Sequence, residues 1–207
     1  MVTPEIPRLE TLIRSVATSV IAESDHLDAL DRAIGDGDHG ANMRRGMEAV
    51  LVDVDATASA PVGTALQALG RQIVCSVGGA SGPLFGTYFV ALGKAWPAMG
   101  DAATLSDALM IALEAVMARG RSTVGQKTLL DVLAPATAAF QRGAEPIVIA
   151  RLAVASAEAT KAMKAERGRA AFLGDRSIGH MDPGARTVVV MIEALVTAMV
   201  ERVEVHT

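Results

Sequence analysis

The stretch TVVVMIEALVTAMVERV, Thr187 to Val203, sets Val188, Met191, Ile192, Leu195, Val196, Met199 and Val203 at the i, i+3, i+4, i+7 spacing of one helix face. The same period recurs over roughly 7–24, 41–55, 62–77, 83–98, 104–119, 128–142 and 146–165. Pro61, Pro97, Pro135, Pro146 and Pro183 fall near the starts and ends of these segments or, once, interrupt one, as the helix-breaking ring requires. No segment shows strand alternation bounded by hairpin turns. The pattern predicts an all-α fold of about eight helices, in a single domain covering residues 1–207.

The chain has 207 residues, room for one sizeable core or at most two small ones. It is 51% hydrophobic and 20% charged but only 3% aromatic, a balance that suits close-packed helices better than a sandwich. A formal net charge of −4 leaves no basic footprint, so nucleic acid is not an expected partner. The start, MVTPEIPRLETLIRSVATSV, carries Glu5, Arg8, Glu10 and Arg14 where a signal peptide needs an unbroken apolar run, and reads as an amphipathic helix. Val188 to Val200, the most apolar late segment, is interrupted by Glu193 and reads as too short to span a bilayer, so no membrane partner is expected. The single cysteine, Cys75, sits in the apolar run QALGRQIVCSV and is expected to be a buried core residue. One cysteine forms no internal disulfide, in keeping with a cytoplasmic location.

Glycine concentrates in four loops between the helical segments: GDGDHG (35–40), GGASGPLFG (78–86), RGRSTVGQKT (119–128) and ERGRAAFLGDRSIGHMDPGA (166–185). These loops lie two helices apart, and in an up-and-down arrangement such loops emerge at the same end. All four are expected to meet at one rim.

The first loop raises the sharpest chemical question, because Asp31, Asp36 and Asp38 crowd together and carboxylates repel one another. A hard cation would neutralise them, and oxygen-only ligation points to Mg2+ or Ca2+. The EF-hand pattern fails: the twelfth position counted from Asp36 is Met47, where a bidentate glutamate is required. Mg2+, which takes few carboxylates together with phosphate oxygens, fits better. The plainer reading makes the aspartates N-caps and turn formers. The helix starting near His39 to Asn42 turns its unpaired N–H groups toward the loop, a natural phosphate site. His39 either bonds that phosphate or caps the turn. Gly78, Gly79 and Gly82 let the backbone approach an anion, or serve a close helix contact. Ser81 offers a hydroxyl, or caps the helix read as beginning at Pro83.

The third loop nearly matches a P-loop, but Gln126 intervenes between Gly125 and Lys127, and a helix precedes it where a P-loop has a strand. Lys127 either approaches phosphate or, as the commoner case, is solvated. The fourth loop carries Arg169, Arg176, His180 and Asp182, and arginine beside glycine suits phosphate contacts as well as surface ion pairs. No nucleophile–base pair stands out. The inventory suits phosphoryl transfer, where catalysis is mostly positioning and charge neutralisation.

LDALDRAIGDGDHGANMRRG, GGASGPLFGT, GQKTLLDVLAPA and GRAAFLGDRSIGHMDPGA, in that order from Leu27 to about Ala185, resemble the nucleotide-binding L subunit of dihydroxyacetone kinases, the DhaL family. The resemblance implies a single-domain antiparallel eight-helix barrel with the nucleotide, ADP or ATP, at one rim. It implies two Mg2+ held by Asp31, Asp36 and Asp38. His39, Gly40, Ala41 and Asn42 would line phosphate and ribose, and Gly79, Ala80 and Ser81 would make a second nucleotide contact. Gly120 and Leu129 would flank the base, and Arg169, Asp182, Pro183 and Gly184 would belong to a closing loop. By the same resemblance Asp36, Asp38 and Arg169 are catalytic, Arg169 stabilising the transferred charge, with Arg176 as the alternative.

The resemblance further implies half of a phosphotransferase. A short ketose, dihydroxyacetone or a four-carbon sugar such as erythrulose, would be held covalently on a histidine of a separate K subunit. The phosphate would come from a phosphotransferase-system M-type subunit that rephosphorylates a retained ADP, or from exchanging ATP. The apolar barrel interior can hold a lipid, though core packing would look the same. Two alternatives stand beside this reading: a nucleotide-binding regulatory or phosphocarrier module, and the nucleotide domain of a fatty-acid kinase, which normally sits in a longer chain. The complete acidic set and the arginine-bearing loop favour the catalytic subunit.

Overall fold

A computed structural model describes residues 8–96 and 102–204, and every regular element among them is helical. In chain order these are α1 (Leu9–Ala22), α2 (Ser24–Ile34), α3 (His39–Val52), α4 (Val54–Ala58), α5 (Val62–Ser76), α6 (Ser81–Ala95), α7 (Ala102–Gly120), α8 (Leu130–Gln141), α9 (Pro146–Ala159) and α10 (Pro183–Glu204). A single 3-10 turn occupies Thr160–Ala162, and 3-10 geometry runs over Arg169–Ser177 with a kink at Gly174.

Eight of these helices close a ring. α1 packs on α3 and α3 on α5; α5 to α10 follow in sequence, and α10 returns to α1. The starts of α3, α6, α8 and α10, the end of α7 and the turn that follows α5 line one cavity, so successive members of the ring run antiparallel. α1 also runs toward this rim: Glu23, just past its end, accepts from Arg186 Nε in the first turn of α10 at 2.9 Å. α2 lies against α3 and α10 near the rim, and α4 bridges α1 and α5 at the opposite end. The ring closes over an interior that includes Val20, Met43, Leu69, Val116, Leu130 and Val189, all buried.

The tightest wall is α5 against α6. A Cβ on Gly70 would stand 2.6 Å from the Gly86 carbonyl oxygen, and a Cβ on Gly86 would meet the Gly70 carbonyl at the same distance. Only glycine lets the two backbones approach this closely.

The segments differ from expectation in several places. The segment at 7–24 forms α1 from Leu9, and residues 1–7 and Pro97 lie outside the described residues. α2 and α4 add two short helices, and α9 stops at Ala159 instead of reaching 165. α6 begins at Ser81, two residues ahead of Pro83. Cys75 is exposed, correcting the expectation of a core residue: α5 buries Leu66, Leu69 and Ile73, and two residues past Ile73 is about 200° round the helix. Met199 is 40% exposed although the period places it inward. α10 is also longer than its apolar run suggested. Pro183–Val200 has a mean hydropathy of 1.5 and the length of a membrane span, yet 56% of it is buried against neighbouring helices. Core packing accounts for that apolarity.

Candidate functional site

The four glycine-rich loops meet at one rim around a cavity of about 350 Å3. The last turn of α2 contributes Asp31, the α2–α3 turn Asp36 and Asp38, and the first turn of α3 His39 and Asn42. Gly79, Ala80 and Ser81 come from the α5–α6 turn, Gly120 and Leu129 from either side of the 121–128 loop, and Arg169, Asp182, Pro183 and Gly184 from the approach to α10.

Asp31 shapes the acidic turn. Its Oδ2 accepts the backbone N–H groups of Gly37 at 2.8 Å, Asp38 at 3.0 Å and His39 at 3.3 Å, capping the start of α3. Asp28 adds to the cap by accepting from the Ala41 N–H at 3.0 Å. The plain turn-forming role is therefore real for Asp31, but it engages only one carboxylate oxygen. One ligand atom each from Asp31, Asp36 and Asp38 lie within 4.8 Å of one another. Arg169 pairs with Asp36 Oδ2 across the cavity mouth. Three hard oxygen donors this close fit a divalent cation, and the Arg169 guanidinium offsets part of their mutual repulsion.

Buried groups beneath this cluster fix its shape. Thr187 Oγ1 donates to the Pro183 carbonyl at 3.0 Å and so accepts from His39 Nε2 at 2.8 Å. The neutral ring then presents Nδ1 to the Ser81 hydroxyl at 3.1 Å. Burial lowers the His39 pKa, against the opposing pull of Asp31, Asp28 and Asp38. With both nitrogens engaged, His39 orients Ser81 and Thr187 and has no nitrogen left for a phosphate. Asn42 Oδ1 accepts from Arg45 Nη2 at 2.8 Å, which leaves its Nδ2 as the group offered to the cavity.

Residues 33–197 match the DAK2 domain. The chain belongs to the DAK2-domain family. It is 39% identical over 190 residues to the ADP-binding subunit of the PEP-dependent dihydroxyacetone kinase of Escherichia coli (strain K12), covering 86% of this chain and 90% of that one. It is 40% identical over 172 residues to the corresponding subunit of PEP-dependent dihydroxyacetone kinase 1 of Listeria innocua, covering 82% and 84% respectively. Its fold is similar to that of the dihydroxyacetone kinase of C. freundii in complex with AMP-PNP and Mg2+, with a TM-score of 0.74 and 24% identity. That match covers 95% of this chain and 35% of the kinase, so the DAK2 domain spans about a third of that longer protein.

Some expected positions stand elsewhere in this DAK2 domain. Gly40 lies behind the cavity wall, where a Cβ would overlap the Ser24 carbonyl, and the Ala41 N–H is taken by Asp28. Arg176 and His180 are exposed outside the wall. Lys127 is the largest correction. It is neither solvated nor turned toward a phosphate: it is 1% exposed, and its Nζ donates to the carbonyls of Thr160 at 2.8 Å, Met163 at 3.2 Å and His180. Burial lowers its pKa, while Asp182 and Asp131 act in the other direction. Lys127 thereby ties the 121–128 loop to both ends of the segment that carries Arg169. Gln126 adds to this seam, donating to Glu166 Oε2 at 3.0 Å and accepting from Arg167 Nε at 3.1 Å. The cavity also has apolar wall residues the sequence did not mark, Leu84 and Val116 among them. On their helices nothing distinguishes them from core positions.

Asp182 is recessed in the wall beside this seam. Burial pushes its pKa up to about 7, helped by Asp131 and Asp31, against the Ala185 N–H and Lys127. Because the folded value lies above the ordinary one, the folded protein holds a proton that the unfolded chain has released. Ligand-free protein should therefore lose stability as pH rises from about 4 to about 7, by on the order of 2–4 kcal/mol. Urea denaturation across that range should show the slope, and Asp182→Asn should flatten it. An unchanged slope in the variant would assign the effect to other groups.

Proposed function

We propose that this DAK2 domain is the nucleotide-binding catalytic subunit of a split short-ketose kinase, working as one domain with the ketose held on a partner subunit. The observation that carries the reading is the meeting of Asp31, Asp36 and Asp38 with Arg169 at the mouth of one cavity. Bound Mg2+ would neutralise the nucleotide phosphates there. Asp36, Asp38 and the unengaged oxygen of Asp31 would hold two such ions. Asn42 Nδ2 and the backbone of Gly79–Ala80 would orient phosphate and ribose, and Gly120 and Leu129 would bound the base. In this reading Arg169 leaves Asp36 when cations occupy the cluster and turns to the transferred phosphoryl group, where a guanidinium suits the planar spread of charge. Pro183 and Gly184 close the wall beside Asp182.

The relatives' names carry both ADP binding and PEP dependence, which supports a retained ADP rephosphorylated by a phosphotransferase-system M-type protein over free exchange of ATP. Dihydroxyacetone is the acceptor those names support. A cytoplasmic location fits this role. A lipid in the barrel interior rests only on the apolar lining of that interior.

The direct test is to denature the purified protein and identify any released nucleotide, with and without prior EDTA. The expected result is tightly held ADP, lost on EDTA treatment. An empty protein that binds Mg–ATP reversibly would replace the retained cofactor with ordinary ATP turnover. Failure to bind either nucleotide with Mg2+ present would overturn the reading.

A further inference from the structure

The chain folds back on itself where α7 ends. Arg121 takes the left-handed conformation, with φ at 48°. The Arg121 N–H donates to the Ala118 carbonyl at 3.4 Å and the Ser122 N–H to the Met117 carbonyl at 3.1 Å. This is the Schellman pattern, which frequently lays an apolar residue, two places past the cap, against the last turn of the helix. Here that residue is a serine.

Ser122 is 8% exposed and lines the cavity. Its N–H is engaged, but its hydroxyl has no hydrogen-bond partner among the described residues. His39 and Lys127, the other buried polar side chains of the cavity wall, are both fully engaged. A Cβ on Gly120 would stand 2.8 Å from Ser122 Oγ and 3.3 Å from Leu84 Cδ2, which places the hydroxyl beside the apolar part of the wall. A hydroxyl withdrawn from water without a partner costs about 1–3 kcal/mol, and a ligand that supplies the partner recovers that cost.

The neighbours say what kind of ligand fits. Leu84, Val116, Leu129 and Leu130 give this part of the cavity an apolar lining suited to a flat heteroaromatic ring. Arg119 also lines it, exposed and without an ion pair among the described residues, and a guanidinium only donates. Of these two side chains, only the Ser122 hydroxyl can accept. Adenine sets a donor, its exocyclic amino group, beside a ring-nitrogen acceptor. A wall with one accepting and one donating side chain complements that edge.

We infer that Ser122 is a specificity-determining residue for the base, its hydroxyl accepting from the exocyclic amino group of an adenine nucleotide. The inference rests on the nucleotide-binding reading above and adds to it the atom that reads the base.

The experiment is titration calorimetry on the full chain, stripped of nucleotide with EDTA and returned to Mg2+. Two ligands are compared, ADP and purine riboside 5′-diphosphate, which is the same nucleotide without the amino group. Wild-type protein should bind ADP about tenfold more tightly than the analogue. Ser122→Ala should weaken ADP to the level of the analogue and leave the analogue unchanged, closing the gap. Ser122→Thr, which keeps a hydroxyl, should preserve most of the gap. The ligand-free melting temperature of Ser122→Ala should match or slightly exceed the wild-type value, because the variant removes a hydroxyl that has no partner. With Mg–ADP binding intact, a gap absent from the wild type, or one that persists in Ser122→Ala, would overturn this role and leave the nucleotide reading standing. Equal weakening of both ligands in Ser122→Ala would also overturn it, in favour of a packing role. Wild-type protein that binds neither nucleotide would overturn both readings.

Discussion

In the Asp36→Asn/Asp38→Asn variant, the thermal stabilisation that Mg–ADP gives the wild-type protein should vanish, and turnover with the ketose-binding partner should fall at least ~1,000-fold. A ligand present at a hundred times its dissociation constant stabilises by about 2.7 kcal/mol, which for a chain of this size moves the melting temperature by roughly 5–10 °C. The amide replacements keep shape and remove two negative charges. Asp31 is left in place deliberately: its Oδ2 accepts three backbone N–H groups of the turn, and changing it would confound folding with binding. Loss of the Asp36–Arg169 pair should cost the ligand-free protein little, since Arg169 is 63% exposed and such pairs are screened by water. The ligand-free melting temperature should therefore stay near the wild-type value, or rise slightly as carboxylate repulsion is relieved. Differential scanning fluorimetry with and without Mg–ADP separates the two effects. Retained stabilisation by Mg–ADP would remove the cation-binding role from these aspartates.

Lys127→Met should have the largest effect on folding. The substitution keeps the unbranched stem but leaves the carbonyls of Thr160, Met163 and His180 without their shared donor. Hydrogen bonds from a charged donor contribute about 1.5–3 kcal/mol each, and buried acceptors left unmatched add to the loss. A net destabilisation of ~3–5 kcal/mol follows, or a melting temperature lower by roughly 10 °C. Lys127→Arg should recover only part of it, because a planar guanidinium cannot take the place of a compact ammonium among three converging oxygens. Activity should also fall at temperatures where the variant is folded, since Met163 and His180 bracket the segment that positions Arg169. Urea denaturation provides the measurement, and a loss below about 1 kcal/mol would mean that the three bonds contribute little.

How far the sequence anticipated this molecule depended on the range of each interaction. The α10 period and the spacing of the glycine loops are local properties, and both carried through to the ring of helices and the shared rim. α4 was missed because five residues are too few to show a 3.6-residue period. Cys75 was misplaced because an apolar run does not show which side of a helix faces inward; only the placement of α3 and α6 against α5 decides that. Lys127 was out of reach for a stricter reason. Its acceptors lie 33, 36 and 53 residues further along the chain, and a lysine amid polar residues looks solvated until those carbonyls arrive. His39 illustrates the same limit: its place beside the acidic turn was legible, but Thr187, 148 residues away, commits the second ring nitrogen.

The closure of α1 against α10 has a consequence for how such a unit can be joined to other things. α10 leaves the rim at Pro183 and runs 22 residues away from it, about 33 Å of helix, while α1 approaches the rim over 14 residues, about 21 Å. Leu9 and Glu204 therefore both lie toward the face remote from the cavity. An attachment at either place, whether a covalent linker, an affinity handle or a surface tether, projects away from the opening. The ring thus behaves like a cup held by its base, free to meet whatever approaches its mouth.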